Sequence, residues 1–277
     1  MGAADGSFCS GVESSDLRES NPHMHLLEAH LAWAQIGRDP GWASGIRRIV
    51  DLALSRFIRA DSGVLGESYL ANWQPAPGIA GRVIEPGHQF EWAWLLLRCE
   101  RRYAVPLRAA ALRLIDIGER FGVCNGVAIN AIHDDFTVRD ADARLWPQCE
   151  RLKAALLAAT LTAEPRYWSM AEAAALSLLP YLDTAVPGLW RDLQGANGEV
   201  PESAAEASWV PAAGSLSEAG ITSGDETRAG PEPPEAPARK RSALVGARSR
   251  TRRAATVPEP AMSALCCSVT GPARSST

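Results

Sequence analysis

A repeat of about 60 residues, each copy holding one pair of helices, sets the tightest limit on what this chain can fold into. Apolar-periodic stretches cover 22–36, 88–103 and 146–162, and each is followed by a second helical stretch over 41–58, 107–121 and 165–182. Proline-containing joints in IGRDPGW (36–42), AVPL (104–107) and LTAEPRYW (161–168) separate the two helices of each pair. A glycine-bearing turn closes each copy, at Gly63, Gly126 and Gly188, which are 63 and 62 residues apart. Segments such as Val64-Leu65-Gly66-Glu67 and Val127-Ala128-Ile129-Asn130 read as short hairpins. A two-helix unit cannot bury its apolar face alone, so units at a fixed period must stack. A decorated loop at one end of each unit suits a closed ring of helix pairs better than an open solenoid. The fold expected is all-α: a partial (α/α)6 toroid of about three helix pairs, with short β-hairpins at one rim.

The first helices of the pairs carry the polar residues that call for an explanation. His25 stands three residues before Glu28 in NPHMHLLEAHLAW (21–33), and His88 three before Glu91 in EPGHQFEWAWLLL (85–97). Residues three apart share a helix face. From Glu28 to Glu91 is 63 residues, and 59 more reach Glu150 in LWPQCERLKAALL (145–157). The repeat therefore aims both His/Glu pairs and Glu150 at one place, near the N-terminal ends of the inner helices. His23, His30 and His133 read as structural or surface residues, and Trp92 and Trp94 as packing. His and Glu on facing helices can also hold metal ions, but the bundle motif for that is Glu-x-x-His, and here the order is reversed. No metal and no cofactor are expected.

Composition narrows the remaining classes. The 277 residues carry a net charge of −4 and are 46% hydrophobic, enough for a sizeable core without the basic balance of a nucleic-acid binder. Six cysteines without metal-ligand spacing read as reduced thiols. No secretory signal is evident in MGAADGSFCSGVESS, and no apolar run approaches the roughly 18 residues of a membrane span. A cytoplasmic protein with neither nucleic-acid nor membrane partners is expected. Residues 210–277 contain no aromatic residue and are rich in Ala, Ser, Gly, Pro and Arg. Such a segment cannot bury enough apolar surface to offset its ordering entropy. Three regions follow: an unstructured 1–20, a partial barrel over 21–208, and an unstructured tail over 209–277 whose basic run 238–253 is solvated.

The strings NPHMHLLEA (21–29), GRVIEPGHQFEWAWLL (81–96), RLWPQCERLKA (144–154) and PGLWRD (187–192) resemble the N-acylglucosamine 2-epimerase family, which includes mannose isomerase-type aldose–ketose isomerases. The resemblance covers about 20–208. It implies an (α/α)6 barrel and proton transfer at C1/C2 of an open-chain aldose through an enediol. The sugars would be mannose, glucose and fructose, or N-acylglucosamine and N-acylmannosamine. Histidine suits this work because its ordinary pKa lies near neutrality. By resemblance His88 is one of two acid–base histidines, Glu91 orients it or binds a hydroxyl, and His25 joins them. Asn21, Arg82, Trp146 and Glu150 would contact the monosaccharide.

The family pattern continues into a string like AxASTxYHxVGA, which holds its second acid–base histidine. Here AEASWVPAAGSLSEAG (205–220) follows it only through Ala207-Ser208. The expectation is a member truncated at both ends, with a tail of shifted reading frame and impaired turnover. A non-catalytic sugar-binding remnant is the alternative. The open edge of a half ring would favour self-association.

Overall fold

The computed structural model describes residues 7–8, 17–37, 39–186, 188–196, 198–199 and 206–207. The chain divides into two units, Met1–Val210 and Pro211–Thr277, and every described residue belongs to the first. The expected tail over 209–277 lies outside the described residues. The expected unstructured 1–20 needs correcting at its end. Strand β1 (Leu17–Glu19) pairs antiparallel with β2 (Ser68–Leu70), and Ser20 already opens the first helix. Backbone pairing with a distant strand orders these residues, and a local reading of composition cannot detect that.

Six α-helices form three antiparallel pairs among the described residues. They are α1 (Ser20–Ile36) with α2 (Pro40–Leu52), α3 (Pro86–Tyr103) with α4 (Arg108–Gly122), and α5 (Leu145–Thr162) with α6 (Pro165–Leu182). Each pair packs on itself, and α3 packs against both α1 and α5. The first helices thus form an inner layer and the second helices an outer one, the partial α/α toroid that the repeat requires. Proline at the first helical position starts α2, α3 and α6, where its missing N–H costs nothing. At the start of α2 the Asp39 carboxylate accepts from Gly41 N at 2.7 Å. Both α3 and α5 end on a left-handed alanine, Ala104 and Ala163. The second helix of the first unit does not run straight to 58. Residues Ala53–Phe57 widen into a π-helical turn that brings Phe57, fully buried, against Trp92.

The core runs between the layers. Helix α3 buries Phe90, Trp92, Ala93, Leu95, Leu96, Leu97 and Cys99, so nearly its whole circumference is covered. Alanines 154, 155, 158 and 159 of α5 keep its neighbours close. The outer helix α4 buries Ala111, Leu114, Ile115 and Gly118, spaced three and four residues apart. Gly118 allows the inner helix to approach, since a Cβ there would lie 2.7 Å from the Phe90 ring.

Short strands decorate the rim: β3 (Val83–Ile84), β4 (Val123–Cys124), β5 (Val127–Ala128), β6 (Ala131–His133), β7 (Val138–Asp140), β8 (Ala143–Arg144), β9 (Trp190–Arg191), β10 (Leu193–Gln194) and β11 (Glu206–Ala207). They pair as β3-β6-β7, β4-β5, β8-β10 and β9-β11. The three turn glycines at the repeat spacing have φ of 75°, 85° and 91°, a backbone that disfavours a side chain. Asn125 and Gly126, both at positive φ, make the tight β4–β5 turn.

Two buried glutamines then lock rim to core in the same way. Gln89 accepts from Leu65 N at 3.0 Å and donates to Leu65 O at 2.9 Å, while Gln148 does the same to Ala128 at 2.8 and 2.7 Å. In each case a glutamine on the inner helix of one unit clamps the rim segment of the unit before. At the edges of the half ring, Trp33 and Ile36 of α1 and Leu176, Leu179 and Leu182 of α6 are exposed.

Candidate active site

One cleft of about 470 Å³ opens at the N-terminal ends of the inner helices, lined by Asn21, His25, Glu28, Glu85, His88, Glu91, Arg144, Trp146 and Glu150. Of the residues expected there, Asn21, His25, His88, Glu91, Trp146 and Glu150 all line it, contributed by α1, α3 and α5. Nδ1 of His25 lies 3.7 Å from Glu28 Oε2 and 3.9 Å from Glu91 Oε1. The Trp146 indole stands 5.3 Å from the His88 ring, centroid to centroid. Lys153, one turn beyond Glu150, places Nζ 2.6 Å from Glu150 Oε2 and over the Trp94 ring.

Arg82 does not belong to this group. Its guanidinium is turned to the β6–β7 turn, with Nε 3.0 Å from Asp134 Oδ1 and a terminal nitrogen 2.7 Å from Asp135 Oδ2. Arg59 meets the same Asp134 at 3.1 Å. The two aspartates outcompete the cleft for Arg82, which serves as a surface fastener of the sheet.

The expected partner of His88 also changes. Nδ1 of His88 is bonded to Glu67 Oε2 at 2.9 Å, and Glu91 faces His25 instead. Glu67 lies in the segment leading into β2 and is itself fully engaged. Ser20 Oγ donates to Oε2 at 2.8 Å and Glu85 N to Oε1 at 3.2 Å. The other ring nitrogen, Nε2, lies 4.0 Å from Glu85 Oε2. A smaller lobe of about 310 Å³, bounded by Glu19, Glu67, Ser68 and Val83, shares Asn21, Glu85 and His88 with the main cleft. Glu67, Glu85 and Arg144 were not legible as site residues. Glu28 was legible as the partner of His25, and the cleft adds it to the lining.

Electrostatics separate the roles of these groups. Burial opposes charge on His88, but the carboxylates of Glu67, Glu85 and Glu91 outweigh it and push its pKa up to about 9. Burial, reinforced by the charge of Glu150, pushes Glu91 up to about 7. The nearby Glu28 carboxylate raises His25 against the opposing effect of burial, and the imidazole in turn lowers Glu28. The two groups are thus both biased toward their protonated forms, His88 toward the imidazolium and Glu91 toward the neutral acid. Nδ1 of His25 and the carboxylate oxygens of Glu28 and Glu91 lie within 4.8 Å of one another, a donor set of the right chemistry for a divalent ion.

These shifts carry a stability consequence. The folded chain keeps protons on Glu91 above its ordinary 4.5 and on His88 above its ordinary 6.5. The stability so contributed is lost as pH rises through about 7 for Glu91 and about 9 for His88. The thermal midpoint, followed by circular dichroism, is expected to fall steadily from pH 6 to pH 9.5. A midpoint that holds level or rises over that range contradicts the assignment.

The chain belongs to the N-acylglucosamine 2-epimerase (GlcNAc 2-epimerase) family, whose model matches residues 8–210. It is 49% identical over 197 residues to a mannose-6-phosphate isomerase of Rhizobium meliloti (strain 1021), covering 68% of this chain and 51% of that protein. A D-mannose isomerase of Pseudomonas cannabina pv. alisalensis is 33% identical over 92 residues, which cover 30% of this chain and 22% of the relative. Among solved structures, a D-mannose isomerase superposes with a TM-score of 0.62 at 22% identity, over 68% of this chain and 51% of its own. The cellobiose 2-epimerase of Bacillus thermoamylovorans B4167 superposes with a TM-score of 0.60 at 18% identity, over 70% and 50%. At those identities the structures establish the shared fold, the (α/α)6 barrel, of which the described residues hold three helix pairs. The chain spans about half the length of the relatives it matches most extensively.

Proposed function

We propose that the cleft binds an aldose and moves a proton at C1/C2, converting it to a ketose or to its C2 epimer through an enediol. The observation that carries this reading is the meeting of His25, His88, Glu91 and Glu150 around one cleft, from three successive repeat units. His88 gives its Nε2 proton to the sugar ring oxygen as the C1–O bond of the ring breaks, and takes the proton of the C1 hydroxyl as C1 becomes a carbonyl; a cation again, it then steadies and protonates that oxygen as the enediol forms. Glu91, buried and near neutrality, removes the proton from C2. Its return to C1, with loss of the C2 hydroxyl proton to the neutral His88, gives the ketose; its return to C2 after the enediol has turned its other face to Glu91, with loss of the C1 hydroxyl proton to His88, gives the epimer. Asn21 and Glu150 accept or donate to sugar hydroxyls, and the Trp146 indole offers an apolar wall. Mannose, glucose, fructose and N-acylated hexosamines are the candidate substrates. The buried Cys99 and half-buried Cys149 are free thiols, which supports a cytoplasmic setting.

Turnover in deuterium oxide tests the reading. Deuterium is expected at C1 of the ketose or at C2 of the epimer. Product with no solvent label anywhere would argue for a fully shielded proton transfer or for hydride transfer, and no conversion of any of these sugars would reject the reading.

A second reading rests on one specific observation: beyond Ser208 the sequence departs from the family string that holds a further histidine. On that reading the chain binds the sugar without converting it. Titration calorimetry with mannose and fructose separates the two, because heat of binding without any labelled product supports the second and excludes the first.

A further inference from the structure

The buried carboxylate of Glu67 has no place in the motifs that point to the cleft, yet it holds more of the site together than any residue in them. Three donors converge on it from two helices: Ser20 Oγ at the start of α1, and Glu85 N and Nδ1 of His88 at the start of α3. The side chains of Glu67 and His88 are each 9% exposed, so water does little to screen the bond between them. The contact is a charge-assisted hydrogen bond of 2.9 Å, and it uses up Nδ1. Nε2 is left as the ring nitrogen on the side of Glu85 and Trp146, which both line the cleft.

We propose that Glu67 is a positioning residue: it grips Nδ1 of His88, turns Nε2 to the substrate, and keeps the ring a cation between turnovers. The inference rests on the reading of His88 as the proton donor and extends it to how that donor is reset. After Nε2 gives up its proton, a ring bonded only to neutral groups would rest neutral at pH 7. With Glu67 against Nδ1, recapture of a proton at Nε2 is favoured. Other charges act on the ring from every side. Glu85 and Glu91 on its own helix and Glu150 on α5 favour the cation, while His25 on α1 and Arg144 beside the α5 N-terminus oppose it. Glu67 is the one among them in hydrogen-bond contact. Ser20 has a supporting part, since its hydroxyl fixes the same carboxylate oxygen that His88 uses.

The test is nuclear magnetic resonance of imidazole-labelled protein, free of sugar, through pH 5–11. In the unsubstituted chain His88 is expected to titrate well above its ordinary value, with Nδ1 protonated in the neutral form as well. Glu67→Gln keeps the size and removes the charge, and it is expected to lower the His88 midpoint by at least one pH unit. The alkaline limb of the rate profile should move by the same amount. A His88 midpoint unmoved by Glu67→Gln overturns the proposal. So does a midpoint near 6.5 in the unsubstituted chain, a result that stands even if the variant does not fold. Because the titration needs no turnover, the absence of any aldose–ketose or epimer conversion would sink the isomerase reading and leave this inference intact. An ordinary His88 beside normal labelling would do the reverse.

Discussion

Replacing His88 with alanine is expected to lower kcat for aldose–ketose or epimer conversion by about 10²–10⁴-fold, the usual worth of a positioned acid or base. The imidazole is buried, bonded to Glu67 at Nδ1 and flanked by Trp146, and no other cation in the cleft shares its position. Arg144 lines the same cleft, but it is not the group that meets Glu67, and it does not take the place of the ring. Removing the ring also leaves the Glu67 carboxylate without one of its three donors. The variant should therefore be compared with His88→Gln, which restores a donor but not an acid. Both are expected to lose turnover, with the glutamine variant nearer the parent in melting temperature. Steady-state rates with mannose and with fructose decide the matter, and a kcat within threefold of the parent in a folded His88→Gln protein would remove His88 from the mechanism.

The largest structural effect is expected at Arg151, which follows Glu150 on α5 but does not line the cleft. Its guanidinium is 4% exposed and makes paired bonds of 2.7 and 2.9 Å to Glu119 of α4, with a third of 2.8 Å to Gly126 O in the β4–β5 turn. One side chain thus joins an inner helix, an outer helix and the rim. Arg151→Ala leaves the Glu119 carboxylate unpaired in a largely dry site, at a cost of about 3–5 kcal/mol. For a domain of this size that corresponds to a fall in melting temperature of roughly 6–20 °C. Arg151→Met with Glu119→Leu removes both charges and is expected to recover most of the loss. Thermal denaturation of the three proteins checks this, and a single variant melting within 2 °C of the parent would show the pair to be dispensable.

The helices were legible because their signal is local. Apolar residues recur at helical spacing, proline stands at three of the starts, and the expected bounds differ from the observed ones by two residues or fewer, except where Ala53–Phe57 widens. The convergence of His25, His88 and Glu150 was legible for a related reason, since equal spacing in a stacked repeat puts equivalent positions on one wall. Glu67 and Arg82 show where that reasoning stops. Glu67 lies 21 residues before His88 in a segment without helical period, and only the folding of the β1–β2 pair beside Ser20 brings it to the ring. Arg82 was expected to contact the sugar only because it lies in the string GRVIEPGHQFEWAWLL (81–96) that carries the family resemblance. The strand it enters pairs with β6, whose turn supplies two aspartates to an arginine that arrives with none. Neither outcome is encoded near the residue concerned.

The paired glutamine clamps have a bearing on how the chain comes to be folded at all. Backbone groups at Leu65 and Ala128 are buried, and they find their partners only on the inner helix of the following unit. A unit emerging from the ribosome therefore stays unfinished until its successor has been made and has coiled. Consolidation would pass along the polypeptide in the direction of synthesis, each hairpin acting as the template on which the next is set, with the earliest segment waiting for the one behind it to close its last unsatisfied amide.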